Sequence, residues 1–246
     1  MEFKIQHFDS LSSTNDSAVE LVMKGQAKEG LVLVTSEQTK GKGHGSNRWE
    51  SARGKNLTLS VILEPRFLEA SDQFFLTKIV SLALQETLQK YLPEHTIRIK
   101  WPNDLYCGDK KMAGVLIQNF LKGAMIEYTV IGVGLNVNQE EFVSDAPNPV
   151  SMKQCTHQDI DLTELRDEWL QILGFYYHEL QTEEGRNVIS SQYMNHLYRY
   201  RTVTKYQDSN GIFWGEIVDI NSFGQLIIQD ESGNRRTYDF KEVAFR

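Results

Sequence analysis

The chain changes character at Thr182-Glu183-Glu184-Gly185, and that change limits what it can fold into. Beyond about Tyr200 the apolar segments are short and separated by glycine turns at Asn210-Gly211, Phe223-Gly224 and Ser232-Gly233. Short strands closed by such turns pair with their neighbours, which predicts a small antiparallel barrel of roughly fifty residues. Upstream, two hydrophobic periods alternate. Leu31-Val32-Leu33-Val34 reads as a buried strand, and Leu57, Leu59, Val61 and Leu63 alternate with Thr58, Ser60 and Ile62 as a strand with one strongly apolar face. Ile97-Arg98-Ile99-Lys100 is a further strand, stopped at Trp101-Pro102 because proline cannot donate to a ladder. Residues 115–120 and 125–133 read as two strands joined through Lys122-Gly123.

Helical spacing falls between these runs. Ser12-Ser13-Thr14-Asn15 supplies N-cap residues before Ala18, Val19, Leu21 and Val22, with Gly25 as the stop. Ser71 and Asp72 open a helix bearing Phe75, Ile79, Leu82, Ala83 and Leu88. Thr163 caps another whose stripe is Leu165, Trp169, Ile172 or Leu173, Tyr176 and Leu180; Gly174 inside it costs about 1 kcal/mol. Residues 145–149 read as a loop. The fold class is therefore α+β: a mixed or antiparallel sheet with packed helices over residues 1–185, then a small β-barrel over 195–246.

Composition narrows the function classes. The net charge of −7 disfavours bulk binding to nucleic acid or anionic membrane, both of which need a basic surface. The two cysteines, Cys107 and Cys155, form no C-x-x-C pair, so neither a disulfide framework nor a zinc site is expected. The first residues lack an apolar run behind a basic head, and no stretch approaches the ~18 apolar residues of a membrane span. A cytoplasmic protein is the expectation.

Four stretches carry residues suited to chemistry. In Gln38-Thr39-Lys40-Gly41-Lys42-Gly43-His44-Gly45-Ser46-Asn47-Arg48-Trp49 the alternating glycines let backbone N–H groups converge on an anion, with lysines beside them. Read alone, the spacing equally fits a flexible surface loop, and it is neither a Walker A loop nor a dinucleotide fingerprint. Lys100-Trp101-Pro102-Asn103-Asp104-Leu105 places a cation, an amide and a carboxylate where a strand emerges, though Pro-Asn-Asp is also ordinary turn chemistry. Lys110-Lys111-Met112-Ala113-Gly114 leads into an apolar strand; two solvated lysines would look the same. Gly132-Val133-Gly134-Leu135-Asn136-Val137-Asn138 ends a strand in glycines and amides, and fits a bulge as well as a site.

Taken together and in this order, the motifs resemble those of the biotin–protein ligase family. The residues that carry the resemblance are Ser13-Thr14-Asn15, Gln38 with the Gly41-Lys42-Gly43 loop and Trp49, Lys100 through Leu105, Lys111 with Ala113-Gly114, and Gly132, Gly134 and Asn136. It covers about residues 8–138 and, more loosely, the C-terminal barrel. Lys-Trp-Pro-Asn-Asp-Leu is its most specific element.

The resemblance implies a class II synthetase-like catalytic domain, an SH3-like C-terminal barrel and a two-step reaction. Biotin and ATP give biotinyl-5′-AMP and diphosphate, and a lysine of a biotin carboxyl carrier protein then takes the biotinyl group. An anionic nucleophile meeting a triphosphate needs cations and N–H donors, so positioning and charge stabilisation dominate. By the resemblance Lys111, Lys42 and Asp104 are catalytic, and Mg²⁺ accompanies the ATP, with Asp104 aiding the ion or the incoming lysine. Ser13, Thr14 and Gln38 are the ureido partners, beside Asn15. Trp49 lies near adenine with Asn103 and Asn136, and Lys100, the loop residues Gly41, Gly43 and His44, and Gly114, Gly132 and Gly134 complete the binding set. No metal-ligand set is assigned.

His44 departs from the arginine that many family members carry in this loop. Histidine has an ordinary pKa of about 6.5, so retention of the acyl-adenylate is expected to depend on pH or to be looser than in arginine-bearing relatives. Comparing its release at pH 6 and pH 8 with His44→Arg tests this; equal rates in all four cases would remove the idea. The first motif begins at Ser13, so a ligase-only form without an N-terminal DNA-binding domain is expected, and relatives often form homodimers through sheet edges. A lipoate–protein ligase-like adenylating enzyme and a non-catalytic biotin- or nucleotide-binding module are the rival readings. The acid accepted separates the first, and diphosphate release separates the second.

Overall fold

The computed structural model describes residues 1–43, 45, 47–143 and 148–246. His44 and most of the expected 145–149 loop therefore lie outside the described residues. In chain order the elements are β1 (Lys4–Phe8), α1 (Thr14–Met23), β2 (Leu31–Thr35), β3 (Leu57–Leu63), α2 (Phe74–Tyr91), β4 (Ile97–Lys100), β5 (Asp104–Cys107), β6 (Lys110–Lys122) and β7 (Met125–Leu135). Then come α3 (Met152–Thr156), α4 (Leu162–Glu179), α5 (Glu183–Asn195), β8 (Thr204–Asp208), β9 (Gly211–Ile220), β10 (Leu226–Asp230), β11 (Arg235–Tyr238) and β12 (Ala244–Phe245). The described strands form a sheet ordered β1-β2-β3-β7-β6-β5-β4 and a second ordered β11-β10-β9-β8-β12. The first is mixed, with β1 parallel to β2 and antiparallel pairing from β2 to β4; the second is antiparallel throughout. This is the α+β class expected from the two hydrophobic periods.

Local chemistry explains most element ends. Ser13 caps α1 by accepting from Asp16 N at 3.3 Å. At α4 the cap is Asp161 rather than Thr163: its carboxylate accepts from Thr163 N and Glu164 N at 2.7 and 3.0 Å. A carboxylate can satisfy two orphan N–H groups and also faces the positive end of the helix dipole, so it displaces the hydroxyl. The α2 helix starts at Phe74, because Ala70–Asp72 forms a separate 3₁₀ turn. The Thr182 hydroxyl accepts from Gly185 N at 3.0 Å and starts α5, a helix that the composition change at this point did not reveal. Sequence reading also passes over β1, whose side chains are mostly exposed, and over β5, hidden behind the Pro-Asn-Asp turn.

The core lies between the sheet and the helices α2, α4 and α5. α2 buries Leu76, Ile79, Leu82, Ala83, Leu84 and Leu88 because the sheet covers one side of it and two helices the other. β3 departs from the one-faced expectation, since all seven of its residues are buried. Leu57, Leu59 and Val61 enter the main core, while Thr58 and Ser60 lie on the face that α1 covers.

The C-terminal sheet is keyed to the first by Trp101, which is buried and donates from Nε1 to Gly224 O at 2.9 Å. Its ring also meets Phe240 edge-on at 6.1 Å. Residues 196–198 run beside β4, with Tyr198 N donating to Ile99 O at 2.8 Å and Ile99 N to His196 O at 2.9 Å. None of the helices searched among the described residues is long and apolar enough to cross a membrane.

Candidate functional site

The strand register explains how one sheet makes both a core and a site. One row across β3, β7, β6, β5 and β4 runs Leu57, Leu135, Ala113, Leu105, Ile99, and every member is buried in the core. The next row runs Thr58, Gly134, Gly114, Asp104, Lys100. Alternate residues point to opposite faces of a sheet, so this second row lies on the other face. Its middle carries no side chains, and its far end carries a carboxylate and an ammonium.

Trp49 lies on that glycine floor. A Cβ on Gly134 would come within 2.6 Å of Trp49 Nε1, and one on Gly114 within 3.4 Å of Trp49 Cζ3. The glycines are there so that an indole can lie close to the backbone. Two residues along β7, a Cβ on Gly132 would come within 2.9 Å of Asn15 Nδ2, which donates to Leu116 O at 3.4 Å. Gly132 thus admits the start of α1 onto the same face.

That helix start carries the second part of the site. Thr14 donates to Gln38 Oε1 from its backbone N at 2.8 Å and from Oγ1 at 3.2 Å, while Ser60 Oγ donates to Thr14 Oγ1 at 2.9 Å. Ser13, Thr14 and Asn15 are all buried. Residues 38–40 are aligned beside 11–12 by Thr39 N to Leu11 O and Lys40 N to Ser12 O, at 3.0 and 2.9 Å. The chain then folds back as a narrow ribbon, with Gly43 N donating to Asn47 O and Trp49 N to Gly41 O at 2.9 and 3.0 Å. Lys42 pairs with Asp16 of α1 at 2.7 Å, but both side chains are about half exposed, so the pair is worth little by itself. Lys241 of the C-terminal unit approaches the ribbon tip at Gly45.

Lys111 reaches the floor because β6 is irregular there. Leu105 faces Ala113 but Tyr106 faces Lys111, so Met112 is an extra residue in β6. A bulge of this kind reverses the alternation, putting Lys111 on the face of Gly114 instead of the core face. Its Nζ pairs with Asp104 Oδ1 at 2.8 Å and stands 5.9 Å from the Trp49 ring centroid. Its backbone is fixed on the far side by Lys111 N to Asn148 O and Val150 N to Lys111 O, both 2.9 Å.

Lys100 turns toward the C-terminal sheet, donating to the Tyr106 hydroxyl at 3.0 Å and standing 5.2 Å from the Phe245 ring centroid. Burial pushes its ammonium below the usual lysine range; Asp104 opposes that shift and Arg199 adds to it. Burial raises the Tyr106 phenol, Asp104 adds to the rise and Lys111 opposes it. Asn103 and Asn136 use amide N–H groups on backbone carbonyls: Asn103 Nδ2 on Val115 O at 2.7 Å, and Asn136 Nδ2 on Val150 O at 3.3 Å. They brace the frame of the site.

The predicted residues thus form two adjoining groups: Ser13, Thr14, Asn15 and Gln38 on one side, and Trp49, Gly114, Gly134, Lys111 and Asp104 on the other. Gly132 joins them, Lys42 lies at the rim and Lys100 at the far edge. Sequence reasoning missed Ser60, Thr58, Asp16 and Tyr106. The small polar residues alternating through β3 were the available signal for the first two; Asp16 and Tyr106 had none.

An α+β sheet with a glycine floor beneath an indole, a hydroxyl–amide group beside it and a paired lysine at its edge defines a domain suited to holding a small polar ligand next to an anionic one. The profile of the Biotin/lipoate A/B protein ligase family matches residues 7–136, and the chain belongs to that family. It is 29% identical over 238 residues to the bifunctional ligase/repressor BirA of Bacillus subtilis, covering 94% of this chain and 71% of that protein. It is 28% identical over 246 residues to the biotin–[acetyl-CoA-carboxylase] ligase of Paracoccus denitrificans, covering 95% and 97%. Its fold matches that of the biotin protein ligase from Aquifex aeolicus in complex with biotin and ATP, with a TM-score of 0.81, 24% identity and coverage of 99% and 98%.

Proposed function

We infer that this chain is an ATP-dependent biotin–protein ligase. The observation that carries the reading is the Lys111–Asp104 pair beside Trp49 on the glycine floor, adjoining the Thr14–Gln38–Ser60 group. In the first step a carboxylate oxygen of biotin attacks the α-phosphorus of ATP. The bond to the diphosphate oxygen breaks, giving biotinyl-5′-AMP. In the second, the amine of a carrier-protein lysine attacks the acyl carbon, AMP leaves and an amide remains, with a proton lost from the amine.

Each part of the site has a task in this chemistry. Biotin presents an uncharged ureido group at one end and a carboxylate at the other. Ser13, Thr14 and Gln38 receive the ureido group; Gln38 Oε1 is occupied by Thr14, which turns its Nε2 toward Gly41. Trp49, seated on the floor, receives the adenine. Lys111 stabilises the charge that develops between carboxylate and α-phosphate, and preorganised charge at that point is worth more than charge recruited from solvent. Asp104 holds the ammonium in place. Lys42 and the backbone N–H groups of the 41–45 loop meet the phosphates from the rim. A magnesium ion on ATP takes most of its ligands from phosphate and water; Asp104 would aid that ion or the incoming lysine, and the ion would neutralise triphosphate charge.

The partner is the biotin-accepting domain of a carboxylase. β1 leaves one edge of the first sheet for a second copy, whereas residues 196–198 cover the β4 edge; sedimentation at two concentrations tests pairing. The deciding experiment is mass spectrometry of a biotin carrier domain incubated with this protein, ATP, Mg²⁺ and biotin, with lipoate as the control acid. One biotinyl group on one lysine is expected. A lipoyl adduct, or no adduct and no diphosphate, would reject the reading.

A further inference from the structure

Away from this site the fold gathers three metal-ligating side chains that are far apart in sequence. Cys107 ends β5, Cys155 lies in α3 and His95 sits in the turn between α2 and β4, and one ligand atom from each lies within 4.8 Å of the other two. We propose that Cys107, Cys155 and His95 bind one thiophilic metal ion, with zinc(II) as the probe, and that solvent supplies a fourth ligand.

The geometry favours a metal over a disulfide. Two thiolates at about 2.3 Å from a tetrahedral zinc lie roughly 3.8 Å apart, and the two sulfurs are 3.7 Å apart. A disulfide needs about 2.05 Å, so the two sulfurs stand well outside bonding distance. One imidazole with two thiolates is a familiar zinc donor set, and three protein ligands leave one position open. All three side chains are only partly buried, which gives that position access to water.

Each ligand also sits on independently fixed backbone. Gln89 Nε2 donates to Leu92 O and His95 O at 3.1 and 2.9 Å, pinning the turn that carries His95. Cys107 stands opposite Ile97 in the β4–β5 ladder. The short helix of Cys155 is held by a reciprocal capping box between Ser151 and Gln154. Binding releases two thiol protons to solvent. A bound ion would tie β5, which carries Asp104, to the segment whose Val150 brackets Lys111.

These are the two cysteines of the chain, so a thiol count reports on the site directly. The full-length protein, reduced and stripped with a chelator, is titrated with zinc(II) and separately with cobalt(II). Two reactive thiols are expected before zinc and none after one equivalent, along with a thiolate-to-cobalt charge-transfer band. Cys155→Ser should lose the band, and His95→Ala should lose zinc retention through gel filtration. Both thiols staying reactive with excess zinc, or protection that survives both substitutions, would overturn the proposal. So would a disulfide forming readily with peroxide in protein that zinc does not protect. The wild-type titration decides the matter even if a variant folds poorly, and none of these readouts depends on ligase activity.

Discussion

Two neighbouring rows of the same sheet were put to opposite uses. Leu57, Leu135, Ala113, Leu105 and Ile99 fill space against the helices; Thr58, Gly134, Gly114, Asp104 and Lys100, one residue further along each strand, seat Trp49 on bare backbone and end in a carboxylate and an ammonium. The rows share backbone, hydrogen bonds and strand order. Only the direction of the side chains separates them. The rigidity of the packed row therefore passes directly to the row proposed to hold ligand, and a change on one side should be felt differently from a change on the other.

Substitutions can break that contrast, and their effects on adenylate formation should fall in a definite order. Lys111→Met removes the ammonium at the floor and should lower kcat for biotinyl-AMP formation on the order of 10²–10³-fold, the usual consequence of losing one preorganised charge-stabilising group. Diphosphate release measures it, and a loss under tenfold would show that Lys111 is not the principal cation. Gly134→Ala pushes a methyl into Trp49 and should cost on the order of 10²-fold through misplacement of the ring. Its melting temperature should fall only slightly, and a large melting shift with normal kinetics would refute the floor.

Ser60→Ala removes the donor to Thr14 Oγ1. A hydrogen bond of this kind contributes about 0.5–1.5 kcal/mol net, so a several-fold rise in the KM for biotin is expected with kcat little changed. Leu59→Ala inverts the pattern. It should destabilise by about 2–5 kcal/mol, as large-to-small changes in a packed core do, yet leave the rate per folded molecule unchanged. Urea denaturation and active-site titration on the same sample separate the two quantities; a matching loss of specific rate would mean that core and site are not independent.

Much of this contrast could be read in advance. The alternation through residues 57–63 placed the core leucines, and the N-cap candidates Ser12 to Asn15 placed the start of α1. The glycines at 114, 132 and 134 were visible as motif residues, but not what they make room for. That depended on Trp49, which comes from a ribbon more than 60 residues upstream of them. The starts of α4 and α5 went partly unread because capping groups compete locally: Asp161 takes the cap in place of Thr163, and at Thr182 the sequence showed only a change in composition.

The sequence alone determined the periods, the motifs and the family they resemble, because those depend on residue type and spacing along the chain. Tertiary structure decided which face each residue took. Met112 is the clearest case: one extra residue in β6 turns Lys111 away from the core and toward Asp104, and a bulge exists only relative to the strand beside it. The same holds for Cys107, Cys155 and His95. Their spacing matches no ligand motif, and only the pairing of β4 with β5 and the packing of α3 bring them together.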